Sequence, residues 1–519
     1  MKPILNDSSN ERVLTGVPNL DVILHGGLVA GSVTVIAGPP GSGKTILSHQ
    51  IGFHVASPDS KVIFFQTLSE PTAKRLRFLK ELSYFDSQKL EREVTFIDLG
   101  EPLRSEGVDA VLNSIMAHVK RVRPALVVID SFKAFGDFVA TSDKYRNFSY
   151  EVVVRLMAWD CTVLLLGEFG TEEIGVNPLF SVIDGILVTK QMAISGENRR
   201  VIQVFKMRGT DHSRDLHTFS ISDDGIQIYT PAFNFKHSPD ADKTNVKASR
   251  CKIGIPQMDL LLSGGVPQGS TVLVSGAAGT GKTVALLEFI YRGANQFGEK
   301  GIFISFEETT QRICAVGKGL GWDIEAEIKR GLIKIIFISQ LDIRIEENLA
   351  MIREEVIRFG ADRVAVDSIS VFFDKVDSVQ IVRDKVFQLT TIVQAAGAVG
   401  FFASNIPYGA ESISRYGVEE TVVDGVIILS AIRKGTVRQR FIEIYKLRNS
   451  AHVLGRHRME IGEGGIDITP SLDEDQLQMA RKKKATGVAV SGKTKPGNKK
   501  KIAAKHQKKT TTKSIARSR

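Results

Sequence analysis

Two eight-residue stretches in this chain could cradle a polyphosphate. They are Gly38-Pro39-Pro40-Gly41-Ser42-Gly43-Lys44-Thr45 and Gly276-Ala277-Ala278-Gly279-Thr280-Gly281-Lys282-Thr283. Glycines in such a loop let backbone N–H groups approach phosphate oxygens with no side chain between. The lysine can reach the β- and γ-phosphates, and the threonine offers a hydroxyl to Mg2+. The ATP contacts expected are therefore Gly41, Ser42, Gly43, Lys44, Thr45 and Ile46 in one copy. In the other they are Gly279, Thr280, Gly281, Lys282, Thr283 and Val284. A glycine-rich turn with an incidental lysine is the plainer reading, but two complete motifs in matched settings argue against it.

Two carboxylate sets accompany the loops. Asp130 ends the apolar run Leu126-Val127-Val128-Ile129, and Asp367 ends Val364-Ala365-Val366. Both are candidates to hold Mg2+ with Thr45 and Thr283, since ligands of open α/β sheets bind at the carboxyl ends of the strands. Glu70, Glu307 and Glu308 follow other strand-like runs and are candidates to orient or deprotonate an attacking water. The plain alternative for each is an acid capping a turn or favoured by a helix N-terminus.

Behind these residues stand short β-branched runs alternating with helix-like stretches. Ser32-Val33-Thr34-Val35-Ile36-Ala37 and Ser270-Thr271-Val272-Leu273-Val274-Ser275 lead into the loops, and helix-like segments follow them. Lys61 to Gln66, Thr162 to Leu166, Gly185 to Val188 and Gln203 to Phe205 read as further strands, with counterparts at Gly301 to Phe306, Val399 to Phe402, Gly425 to Leu429 and Glu443 to Tyr445. This alternation predicts an α/β fold, each unit a mostly parallel sheet flanked by helices.

Lys44 to Lys282 is a shift of 238 residues, and so is Gly16 to Gly254. A period that long indicates a duplicated domain; solenoid repeats run to about 20–50 residues. The same shift carries Glu70 onto Glu308 and Ser69 onto Glu307. The division expected is a first domain at 1–235, a polar linker at 236–250, a second domain at 251–470 and a tail at 471–519.

Net charge is +10, but fifteen of the 68 Lys and Arg lie between Arg481 and Arg519, where no Asp or Glu occurs. The remaining 53 face 58 Asp and Glu, so the folded body is mildly acidic. The tail has no aromatic residue and reads as disordered. It could tether nucleic acid through phosphate contacts, or simply be a solvated extension. Three scattered cysteines, no secretory leader and no apolar run near the ~18 residues of a membrane span lead to an expectation of a cytoplasmic protein with no membrane association.

The tandem loops, Phe306-Glu307-Glu308-Thr309, Arg415-Tyr416-Gly417-Val418-Glu419-Glu420, and the closing Lys206-Met207-Arg208-Gly209-Thr210 and Lys446-Leu447-Arg448 together resemble the KaiC family of RecA-like ATPases over about residues 12–470. The resemblance implies two tandem RecA-like P-loop domains, a homohexameric ring of two tiers, ATP and Mg2+ between subunits, and regulatory protein partners. It implies that Lys206, Met207, Arg208, Thr210 and His212, and Lys446, Leu447, Arg448 and His452, contact a neighbouring subunit's nucleotide. The family includes a circadian clock protein that autophosphorylates an adjacent Ser-Thr pair; Glu420-Thr421 matches it here, leaving Thr421 as candidate phosphoacceptor for a serine/threonine autokinase. Asn449-Ser450 also replaces the Gly-Thr of the first unit. The main reading is a KaiC-like ATPase acting as a regulatory switch. A RecA-like DNA recombination or repair ATPase is the alternative of a different class.

Overall fold

The computed structural model describes residues 12–67, 72–139, 141–159, 161–194, 197–230, 249–376, 378–407, 410 and 412–471. The basic tail, the polar linker as far as 248, and Ser69 and Glu70 lie outside the described residues.

In chain order the first unit places β1 (Val33–Ala37), α1 (Lys44–Val55), β2 (Val62–Gln66), β3 (Val94–Asp98), β4 (Leu126–Asp130), β5 (Thr162–Gly167), β6 (Gly185–Ile194), β7 (Glu197–Met207), β8 (His217–Ser222) and β9 (Gly225–Tyr229). These strands form one nine-stranded sheet in the order β9-β8-β7-β6-β1-β5-β4-β2-β3. From β3 to β6 every pairing is parallel. From β6 to β9 the sheet continues as an antiparallel meander.

The second unit repeats this plan with β10 (Thr271–Gly276), α2 (Lys282–Arg292), β11 (Gly301–Ser305), β12 (Ile333–Phe337), α3 (Ile345–Phe359), β13 (Arg363–Asp367), α4 (Val379–Ala395), β14 (Val399–Asn405), β15 (Gly425–Lys434), β16 (Val437–Leu447), β17 (Arg456–Gly462) and β18 (Gly465–Thr469). Its order, β18-β17-β16-β15-β10-β14-β13-β11-β12, is the first one over again.

The parallel strands are apolar along their whole length because both faces are covered. Val33, Val35, Ile63, Phe65, Val127, Ile129, Val163 and Leu165 pack on one face of the first sheet. Ile36, Phe64, Val128, Leu164 and Leu166 pack on the other, against Leu47 and Ile51 of α1. Burying each of these side chains is worth about 1.5–3 kcal/mol. The sequence pattern marks the parallel strands except the two edge strands β3 and β12, makes β7 and β16 too short, and misses the hairpins β8–β9 and β17–β18. Edge strands alternate apolar and polar residues, so their apolar runs are short.

Ahead of each sheet, Arg12–Val13 pairs with Leu28–Val29, and Arg250–Cys251 pairs with Val266–Pro267. In both units an aspartate closes the following turn: Asp21 accepts from Thr15 N–H at 3.0 Å, and Asp259 accepts from Ile253 N–H at 2.7 Å. The repeat seen in the sequence is thus a repeat of individual hydrogen bonds. Between the units, Glu346 on α3 pairs with Arg199 on β7 at 2.8 Å and with Lys385 on α4 at 3.4 Å.

Candidate functional site

Each P-loop turns from the end of its strand into a helix whose N-cap is a glycine with positive φ, Gly43 at 95° and Gly281 at 104°. A side chain there would be strained, and a Cβ on Gly281 would lie 2.5 Å from Ile461 Cδ1. The α1 and α2 N-termini therefore open onto the loop with their N–H groups clear, as anion binding requires. Lys44 Nζ donates to the Gly38 and Pro39 carbonyls, each at 2.8 Å. Lys282 Nζ donates to Gly276 O at 2.8 Å and Ala277 O at 3.0 Å. Ser42 bonds Thr189 at 2.8 Å, tying its loop to β6, and Thr280 bonds Ala277 O at 2.8 Å, bracing its loop from within. Ile46 and Val284 lie on the first turns of α1 and α2.

The strands also bring the expected carboxylates to the loops. Thr45 Oγ1 donates to Asp130 Oδ2 at 3.0 Å, and Thr283 hydrogen-bonds Asp367. A hydroxyl beside a carboxylate is a pair of oxygen donors that could hold Mg2+. No group of three or more His, Cys, Asp or Glu side chains that could hold a metal by themselves occurs among the described residues. Burial pushes Asp367 up to about 6, against the Thr283 bond; Glu307 pushes the same way and Lys282 opposes.

In the second unit Glu307 Oε1 accepts from Ser368 Oγ at 3.1 Å and from Asn405 Nδ2 at 3.3 Å. Burial lowers Lys282 from the usual lysine range, opposed first by Asp367 and then by Glu307. Glu308 N–H donates to Ser305 at 2.9 Å, and Glu308 Oε2 is buried with no partner among the described residues. Glu307 is thus turned toward Lys282 and Asp367, with Glu308 beside it.

The first unit is arranged differently. Its strand pairing sets Gln66 against Asp130 as Ser305 is set against Asp367, a shift of 239 from Gln66 to Ser305. Counted from the strand, Leu68 and Ser69 match Glu307 and Glu308. Counted back from the next helix, which starts at Thr72 and at Thr310, Ser69 and Glu70 match them. The shift of 238 thus holds from the helix, and becomes 239 along the strand before it. A one-turn π-helix, Gly293–Phe297, accompanies an extra residue in the second unit before β11, and the first unit's strand-to-helix connection is one residue longer.

What the first site does hold is Glu168, immediately past β5, which sequence reading passed over. Burial lowers Lys44 from the usual range, and the charges opposing this are Glu168 first and Asp130 second. Asn405 takes the matching place in the second unit, because Gly167 pairs with Ala37 as Ser404 pairs with Ser275. The available signal was a carboxylate just beyond a buried apolar run, as for Asp130.

The residues expected to act across a subunit boundary lie at the other edge of each sheet. Lys206 and Met207 pair with Ile186 and Gly185 at the start of β6, level with the beginning of β1 and away from its P-loop end. Lys206 Nζ donates to Phe180 O and Ile183 O, and Arg208 donates to Ser181 O and pairs with Asp184. Lys446 and Arg448 repeat this with Glu420 O, Val423 O and Thr421 O. Burial and then the neighbouring arginine lower both lysines. Met207 and Leu447 are buried beneath them.

Arg12 donates to Thr210 Oγ1, and Arg250 to Ser450 Oγ, each at 2.5 Å. Gly209 and Asn449 both have positive φ, a conformation asparagine tolerates better than most residues. The Asn-Ser replacement in the second unit thus preserves backbone and hydroxyl. His212 Nδ1 and His452 Nε2 are buried with no partner among the described residues. Thr421 is exposed on the same edge, with Oγ1 donating to Val418 O at 2.6 Å.

The model of the KaiC ATPase family matches residues 13–232 and again 251–473. The circadian clock oscillator protein KaiC of Picosynechococcus sp. is 27% identical over 478 residues, covering 89% of this chain and 90% of that protein. The protein of the same name from Nostoc sp. is 28% identical over 482 residues, covering 90% and 91%. The circadian clock protein KaiC3 of Synechocystis sp. is 27% identical over 475 residues, covering 88% and 92%.

Proposed function

The chain belongs to the KaiC family of ATPases, and from that premise we propose that it binds and hydrolyses ATP with Mg2+ at the subunit interfaces of a ring, as a regulatory switch. The observation that carries the interface is the separation of parts. Each P-loop lies at the carboxyl edge of the parallel strands, while Lys206, Arg208, Lys446 and Arg448 lie at the opposite edge. A cation so placed does not reach the P-loop of its own unit, but on a neighbouring copy of the chain it can neutralise transition-state charge.

In each site Lys44 or Lys282 and the loop N–H groups hold the phosphates, and Thr45 with Asp130 or Thr283 with Asp367 would hold Mg2+. The metal would screen phosphate charge there. Glu307 orients the attacking water in the second unit, with Ser368 and Asn405 fixing its carboxylate. Nucleotide state then biases assembly, because a ligand with unequal affinity for two states shifts their balance. Regulatory protein partners would read that balance. A reducing cytoplasm fits three free cysteines, two of them buried. No helix among the described residues is long and apolar enough to cross a membrane.

Mixing inactive variants tests the arrangement. Lys282→Ala retains the cationic edge, and Arg448→Ala retains the P-loop. If sites are shared, co-assembled rings regain part of the second-tier ATPase that each variant lacks. No recovery despite co-assembly overturns the shared site.

Autokinase activity is a second reading, favoured by Thr421 lying beside Arg448 on the edge that would face a neighbour's ATP. Phosphate appearing on Thr421 during ATP turnover, read by mass spectrometry, supports it; none under active turnover rejects it.

A further inference from the structure

We propose that Glu168 supplies the water-orienting carboxylate of the first nucleotide site, delivered by the strand beside the P-loop strand. The second site instead draws Glu307 from the end of β11. The inference rests on the ATPase reading above and deepens it.

The placement follows from the sheet. β5 lies between β1 and β4, so its carboxyl end adjoins both the P-loop and Asp130. Gly167 is level with Ala37 at the end of β1, and Leu166 is level with Asp130. Leu166 packs on the α1 face, and alternation returns Glu168 to that face two residues later. There it stands on the same side of the sheet as the P-loop and Asp130. The side chain itself is exposed, free to meet a nucleotide.

Its backbone is anchored. Lys133 Nζ donates to Glu168 O at 2.6 Å and to Glu173 Oε1 at 2.7 Å. The second unit anchors the matching residue in its own way, with Asn405 N–H donating to Ser370 Oγ at 2.8 Å. Each anchor comes from the segment just after the strand-end aspartate. In one site this anchored position holds a carboxylate; in the other it holds an amide that positions a carboxylate from β11, two strands away.

The chemistry balances without an added reactant. The water oxygen bonds to the γ-phosphorus as the bond from that phosphorus to the β–γ bridging oxygen breaks. ADP leaves with the electron pair, and the proton lost by water passes to the Glu168 carboxylate. Positioned acid–base groups contribute typically about 10²–10⁴-fold.

The test uses the full-length chain carrying Lys282→Ala, so that turnover reports the first site. Binding of a fluorescent ATP analogue and phosphate release are both measured. Adding Glu168→Gln is expected to cut phosphate release about 100-fold or more without weakening analogue binding, and Glu168→Asp to restore part of the rate. Unchanged release in the Gln variant overturns the proposal. So does a parent that binds ATP but never hydrolyses it, or a loss caused instead by Glu70→Gln with Glu168→Gln silent. A parent that binds no nucleotide at the first site would overturn the ATPase reading of that unit itself.

Discussion

In the second unit, Glu307, Ser368, Asn405, Asp367 and Lys282 form one connected set at the carboxyl ends of four neighbouring strands. In the first, the same backbone brings Glu168 and Asp130 to Lys44, and the β2 connection no longer matches residue for residue. The fold thus fixes where a carboxylate can stand, and leaves open which strand provides it. Duplicated sites can diverge in chemistry while their scaffold hydrogen bonds, such as those of Asp21 and Asp259, stay the same.

The largest test of this comparison is Glu307→Gln. It should reduce second-site hydrolysis by about 10³-fold while nucleotide affinity holds, as measured by phosphate release in a Lys44→Ala background. Retained turnover would place the second site's carboxylate elsewhere.

Next comes a difference in the scaffold. Arg363 is fully buried where the first unit has Leu126, and it bonds Glu299 at 2.6 Å, Phe289 O at 2.8 Å and Lys252 O at 2.7 Å. Arg363→Leu leaves those buried carbonyls without their donor. The second unit should lose about 3 kcal/mol in urea unfolding, whereas conservative changes at Leu126 cost less.

The helix after each P-loop gives a third contrast. Glu288 on α2 accepts from Ile466 N–H at 2.8 Å, whereas Gln50 on α1 accepts from Ile226 N–H at 2.7 Å. Burial raises Glu288 to about 7, partly opposed by that bond and by Arg292. A carboxyl raised above its unfolded value binds its proton more readily in the folded state. Its stabilising contribution is therefore full below the unfolded pKa and is lost as pH climbs to about 7. On the order of 2–3 kcal/mol should disappear between pH 5 and 8. Glu288→Gln should remove that dependence from the second unit's thermal midpoint, and Gln50→Glu should install it in the first.

The smallest expected effect is at Asn405. Asn405→Ala removes one of two donors to Glu307 and should lower second-site turnover by about tenfold, with affinity little changed. A loss as large as that of Glu307→Gln would mean that Asn405 itself touches the reacting groups.

The sequence by itself determined the duplication, both P-loops, the aspartates that end β4 and β13, and the parallel core of each sheet. These are local signals: glycines at fixed spacing, and apolar runs of strand length whose both faces must be covered. It also marked Lys206, Arg208, Lys446 and Arg448, though not the edge on which they lie. Tertiary structure decided the rest. Strand order put β5 next to β1, so that Glu168 stands beside a lysine 124 positions earlier in the chain. Pairing register showed compensating one-residue differences in two connections, so that the shift between the units changes from 238 to 239 along β2 and β11 and back again at the next helix. Periodicity within a segment carries no record of which segment becomes its neighbour, and the choice of neighbours is what assembled the two different carboxylate sets.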